Sequence, residues 1–142
     1  MSDEPSVELH KKGHALVLAD DREGMAALVA EDSDWHIAGH RSDAFGVDRR
    51  KRATLGGDYH GPAGFFDLID KLAELSAGTY SFEDIAVMGA GEFSSPLMKV
   101  TATRGGAALD SFAVEVVKWR NGQVVEQWFL PFDQGTWDAF WS

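Results

Sequence analysis

The chain has 142 residues, 44% of them hydrophobic and 25% charged, a length that suits one domain with one substantial core. Thirteen basic against 23 acidic residues give a formal net charge of -10, which argues against nucleic-acid binding and against adhesion to anionic membranes. Cysteine is absent, so disulfides, thiol nucleophiles and cysteine-ligated zinc or iron–sulfur sites are excluded.

No apolar run approaches the roughly 20 residues of a spanning helix. The N-terminal Met1-Ser2-Asp3-Glu4-Pro5 is acidic and polar, unlike a signal peptide, so a cytoplasmic protein is expected. From Ser6 to about Ala19, the apolar residues Val7, Leu9, Leu16, Val17 and Leu18 predict a helix, with His10 and His14 one turn apart. Asp20 and Glu23 resemble a capping box ahead of a second short helix carrying Met25, Leu28 and Val29. Ser33 to Gly39 reads as a strand with Trp35 and Ile37 on one face and His36 on the other. His40 to Gly57 is polar and basic and reads as a loop.

Gly61-Pro62 opens the clearest helix, since proline suits a first turn where its missing N–H has no partner. Phe65, Phe66, Leu68, Ile69, Leu72 and Leu75 form its apolar face, and Gly78 stops it. Beyond Gly78 the period changes from 3.6 to 2. Strands are predicted over Thr79–Met88, Phe93–Thr103, Leu109–Arg120 and Val124–Phe132, joined by short glycine-rich links. Asn121-Gly122 is the strongest of these, because both residues tolerate the positive φ of a type I′ hairpin. A short helix from Trp137 to Trp141 closes the chain. Helices, a strand, a long helix and a four-stranded antiparallel meander make an α+β layer arrangement.

Three strings carry a resemblance: Asp34-Trp35-His36-Ile37-Ala38-Gly39, Gly57-Asp58-Tyr59-His60-Gly61-Pro62, and Trp119 to Trp128 followed by Phe132-Asp133. In this order and spacing the chain resembles the SnoaL-like, polyketide cyclase-like branch of the NTF2-like superfamily, from about Val7 to Trp141. The resemblance implies a cone, in which a curved antiparallel sheet wraps around the helices and encloses an apolar pocket. It also implies a homodimer. The activities of the family include polyketide cyclisation, ketosteroid isomerisation, dehydration and epoxide hydrolysis, and many members only bind. The fold therefore implies a pocket and not a reaction.

By the same resemblance, Asp133 matches the aspartate that acts as acid/base at the end of the last long strand of the cyclases; as a plain alternative it caps the following helix. Cyclases of the family also carry a histidine partner, for which this chain has no matching position, a departure that weakens the cyclase reading. Read from their own places, His60, near the rim of the cone, and His14, on the first helix, are the histidines that could carry chemistry, although surface or structural duty suits either. Ketosteroid isomerases need a carboxylate in the first strand, where this chain has Ile37, so that mechanism is not expected. His10 and His14 share i, i+4 spacing, but two histidines without a third ligand rarely make a zinc site, and neither metal nor cofactor is expected.

Trp35, Ile37, Tyr59, Phe65, Phe112, Trp119, Trp128 and Trp137 are the expected walls for a small apolar or aromatic molecule. Asp110, Glu115 and Glu126 read as charges on a solvated strand face. Glu126 alternates onto the side of Trp128, so one of the two belongs at a rim or a dimer contact. Arg49-Arg50-Lys51-Arg52 is either a solvated loop or a steering patch for an anionic substrate. No phosphate-binding glycine loop and no Gly-x-Ser-x-Gly nucleophile motif is present. Two readings follow. One is a cofactor-independent cyclase, isomerase, dehydratase or hydrolase acting by acid/base chemistry on an apolar or polyketide-like substrate. The other is a non-catalytic ligand-binding or dimerisation domain.

Overall fold

The computed structural model describes residues 5–37 and 55–142. The basic run at 49–52, His40 and the end of the first predicted strand lie outside the described residues. The elements follow in the order α1 (Pro5–Leu18), α2 (Arg22–Ala27), β1 (Val29–Ile37), β2 (Gly57–His60), α3 (Gly61–Leu75), β3 (Ser81–Ala90), β4 (Phe93–Arg104), β5 (Ala107–Arg120), β6 (Gln123–Pro131) and α4 (Gln134–Trp141). Among the described residues no helix is long and apolar enough to cross a membrane.

One six-stranded sheet runs β2-β1-β6-β5-β4-β3. The meander from β3 to β6 is antiparallel, as the two-residue period predicts. Its Asn121 and Gly122 have φ of 53° and 77°, the values a type I′ turn requires. The sheet is nevertheless mixed, because β1 pairs in parallel with β6, setting Trp35 opposite Gln127 and Ile37 opposite Phe129. Parallel pairing needs a long crossover, and here β2, α3 and the strands β3 to β5 all lie within it. Strand β2 pairs antiparallel with β1 and was hidden in sequence inside the string that leads into α3.

Two local features differ from the sequence-based expectation. The cap of α2 is Asp21, whose carboxylate accepts from the Gly24 N–H at 2.9 Å, while Asp20 takes a positive φ of 52° and turns the chain. Val29, read as helical, begins β1 instead.

Helix α3 buries Phe65, Leu68 and Leu72 against β1 and β2. Their i, i+3, i+7 spacing puts all three on one face, and each contributes about 1.5–3 kcal/mol of hydrophobic stabilisation. Helix α1 packs on β3 and β4, and α4 on β5 and β6. The core therefore lies between these helices and one face of the sheet, where Met98, Val100, Ala113, Val117 and Phe129 alternate inward.

Candidate functional site

A cavity of about 130 Å³ lies between α1, α3 and the inner face of the sheet. Its walls are mostly apolar: Trp35, Ile37, Phe65, Trp119 and Trp137 from the expected set, with Leu72 and Phe129 beside them. Trp35 and Phe65 pack with ring centroids 4.6 Å apart, and Phe129 and Trp137 with centroids 4.8 Å apart. The C-terminal Trp137, Phe140 and Trp141 are all buried, so α4 closes this side of the core.

The other three expected wall residues lie elsewhere. Tyr59 is buried outside the cavity, with its hydroxyl donating to the Leu55 carbonyl at 2.6 Å. Phe112 is 44% exposed on the outer face, near Phe132. Trp128 stacks on His36, also on the outer face, with centroids 5.7 Å apart. The reason is parity: Phe112 and Trp128 alternate with Ala113 and Gln127, which are buried. Glu126 shares the outer side with Trp128, and there it meets His36 Nε2 at 2.9 Å.

Polar groups gather on one wall of the cavity. Helix α1 presents His10 and His14 from successive turns. His14 Nδ1 lies 2.7 Å from Asp84 Oδ2, and its Nε2 lies 3.0 Å from Glu115 Oε1. A carboxylate only accepts, so His14 donates from both nitrogens and is an imidazolium in this arrangement. Burial alone would lower its pKa, but the hydrogen bonds to Asp84 and Glu115, and their charges, outweigh that and raise it to about 9. Burial alone would likewise raise Glu115, yet His10 Nε2 at 3.7 Å and the hydrogen bond from His14 at 3.0 Å hold its carboxyl well below the usual range. The Tyr80 phenol on the same wall is pushed up by burial and by the charge of Glu115.

Around this core, His10 Nδ1 lies 2.7 Å from Ser94 Oγ, which also accepts from the Trp119 indole N–H at 2.9 Å. Gln127 donates to Glu115 Oε2 at 2.5 Å, which fixes the orientation of its amide. The Gln127 Oε1 atom is then buried on the cavity wall with no partner among the described residues. An unpaired buried acceptor costs about 1–3 kcal/mol, and a ligand hydroxyl or N–H placed there would recover it.

Of the three residues expected to carry chemistry, only His14 lines the cavity. Asp133 is exposed and caps α4, its carboxylate accepting from the Thr136 N–H at 3.1 Å; that bond holds its pKa below the ordinary value, the opposite of a catalytic acid in an apolar pocket. His60 is 84% exposed and pairs with Asp34. The expected acid/base roles of Asp133 and His60 are therefore corrected: neither residue reaches the cavity.

Sequence reasoning missed Glu115, Asp84 and Gln127. Glu115 shares its parity with Ala113, Val117 and Trp119, so the alternation that identified the strand already placed it among buried neighbours. Gln127 likewise shares its parity with the buried Phe129. For Asp84 no comparable signal exists, since a bulge follows it between Asp84 and Ala86 and breaks the parity of β3.

The layered arrangement, the mixed sheet order and the cavity beneath α1 and α3 define an α+β NTF2-like fold, and comparison with solved structures gives the same answer. No protein-family model and no curated protein matches the chain. Solved structures match over nearly its whole length. Bal32a, from a soil-derived mobile gene cassette, is 24% identical with a TM-score of 0.84, and the match covers 96% of each chain. An NTF2-like protein from Burkholderia xenovorans LB400 is 19% identical with a TM-score of 0.78, over 100% of this chain and 99% of that one. IdmH from Streptomyces antibioticus, described as a candidate polyketide cyclase, is 14% identical with a TM-score of 0.69, over 91% and 93%. The chain thus has the NTF2-like fold, with NTF2-like proteins and a candidate polyketide cyclase among its structural neighbours.

Proposed function

We propose that this is a small-molecule-binding enzyme that performs acid/base chemistry with its own side chains in the cavity. One observation carries the reading: His14, on the polar wall of a mostly apolar cavity, has a carboxylate on each ring nitrogen. That arrangement lets the ring hand a proton to a substrate oxygen, or take one back, while Asp84 fixes its orientation. Glu115 neutralises the charge and Gln127 Oε1 offers an acceptor to a substrate hydroxyl. IdmH, described as a candidate polyketide cyclase on the same fold, is consistent with such chemistry.

The volume narrows the substrate. A cavity of about 150 Å³ elsewhere holds one benzene ring, so about 130 Å³ fits one small ring rather than a whole polyketide. Cyclic ketones and epoxides of one ring are the class to test. In deuterated solvent, the wild type should catalyse exchange α to the carbonyl above the buffer rate, with His14 protonating the carbonyl oxygen while solvent or buffer takes the α-proton, and His14→Gln should lose it while still folded. Ligands that bind without exchange or turnover in the wild type would overturn the enzyme reading in favour of a binding protein.

A homodimer and a cytoplasmic location belong to the same proposal. Phe112, Leu130 and Phe132 are 44%, 48% and 64% exposed along the outer side of β5 and β6, an apolar surface suited to a second copy. Light scattering on the wild type and on Phe132→Glu tests the dimer, which should dissociate in the variant.

A further inference from the structure

His10 Nε2, His14 Nε2 and Glu115 Oε1 form a small triangle. His14 Nε2 is 3.0 Å from each of the other two, which are 3.7 Å apart. Neutral imidazole and carboxylate present lone pairs, and three lone pairs this close repel unless a cation lies among them. A proton on one of the two histidine nitrogens is one solution, and the His14 imidazolium described above is such a state. A metal ion is another.

Four observations fit a metal. First, ligands around tetrahedral zinc at about 2.0–2.1 Å stand about 3.3 Å from one another, a value the three separations bracket; a point about 2.0 Å from all three atoms lies just off their plane. Second, each histidine has its outer nitrogen engaged, His14 with Asp84 and His10 with Ser94, both at 2.7 Å. Ligating histidines are oriented in this way, by donating the other ring N–H to a carboxylate or another acceptor. Third, the two histidines sit one turn apart on the buried face of α1, the i, i+4 placement that lets a helix offer two imidazoles to one ion. Fourth, the second carboxylate oxygen of Glu115 is held by Gln127, leaving Oε1 for the ion.

We infer that His10, His14 and Glu115 form a site for a first-row divalent metal of the zinc type, with its remaining coordination position open to the apolar cavity. Two imidazoles and a carboxylate suit zinc or cobalt and not magnesium or calcium, which prefer oxygen alone. Three protein ligands plus one open position is the arrangement of reactive rather than structural zinc, whose bound water becomes a nucleophile near neutral pH. The unpaired Gln127 Oε1 supplies an acceptor for such a water on the same wall. The inference goes beyond the acid/base reading, because metal and proton compete for the same lone pairs. The absence of a third ligand, which argued against metal in the sequence, is removed once β5 brings Glu115 beneath α1.

The test uses the full chain, stripped with a chelator and titrated with zinc chloride or cobalt chloride alone. The wild type should retain one zinc per chain after desalting. With cobalt it should show the intense visible bands of a site of low coordination number, undiminished by excess magnesium. Glu115→Gln and His10→Gln should each weaken binding at least tenfold, and Asp84→Asn by about 10- to 100-fold through loss of orientation. His60→Ala, remote from the cluster, should bind like the wild type. Cobalt that stays in its aqueous form with the wild type would overturn the inference, and so would full-strength binding by folded Glu115→Gln. The wild-type titration needs no variant, so a variant that fails to fold leaves the test intact. Proton exchange by the stripped protein reports on the acid/base reading separately, and either result can fail without the other.

Discussion

Replacing Glu115 with alanine separates a buried cluster from a charge on a wet sheet face. The Glu115 side chain is 12% exposed, lies 3.0 Å from His14 Nε2 and accepts from Gln127 at 2.5 Å. Truncation leaves the His14 cation facing Asp84 alone and strands the Gln127 amide. Removing one partner of a buried ion pair costs about 3–5 kcal/mol, because the other charge stays behind unpaired. At about 2.1 cal/mol/K per residue, the unfolding entropy of a chain this long is about 0.3 kcal/mol/K, so each kcal/mol moves the midpoint by about 3 °C. Glu115→Ala should therefore melt roughly 10–15 °C below the wild type at neutral pH. Removing His14 as well should restore part of the loss, since the double variant strands no cation. Calorimetry on the wild type, both single variants and the double variant measures this. A drop below about 0.5 kcal/mol, the range of ordinary surface substitutions, would refute the inward placement of Glu115. Strict additivity of the two single losses would refute the pairing with His14.

Three further expectations concern other parts of the molecule. Asp133→Ala should lower the melting temperature by about 3 °C through loss of the α4 cap, while Asp133→Asn holds it; neither should change ligand binding, and a loss of turnover in Asp133→Asn would reinstate the residue at the site. Burial opposes charge on His36, but hydrogen bonds to Asp58 and Glu126 prevail and raise its pKa. A raised histidine stabilises fully below its unfolded value and loses that contribution as pH rises through its folded value, so the deficit of His36→Gln against the wild type should shrink as pH rises above about 6.5. An NMR titration placing His36 below that value would contradict this. Gly61 opens α3 with φ of 62°, and an added Cβ would stand 2.9 Å from the Glu31 carbonyl oxygen. Gly61→Ala should thus cost about 1–3 kcal/mol in denaturant melts, and a neutral result would show that β1 and the start of α3 can move apart.

Much of the fold was legible because it rests on short-range periodicity. Alternation located β3 to β6 to within a few residues, and the Asn121-Gly122 pair marked its hairpin. The apolar stripe Phe65, Leu68, Leu72 and the opening Pro62 identified α3. Five of the eight expected wall residues line the cavity for the same reason, since they lie on the inward parity of their strands or helices. Parity overrides side-chain character: it turns Phe112 and Trp128 outward although both are aromatic, and Glu115 inward although it is charged.

What the sequence determined by itself is therefore most of the elements, the apolar face of α3 and the alternation of the meander, together with the resemblance to the NTF2-like fold, because each depends on residues only a few positions apart. The site is different in kind. Its members stand far apart along the chain, 70 residues between His14 and Asp84 and 101 between His14 and Glu115. Their meeting depends on the packing of α1 across β3 and β4 and on the register of β5, neither of which any local pattern specifies. Only the tertiary structure could show that a carboxylate among valines and tryptophans is buried because two histidines from another element stand over it.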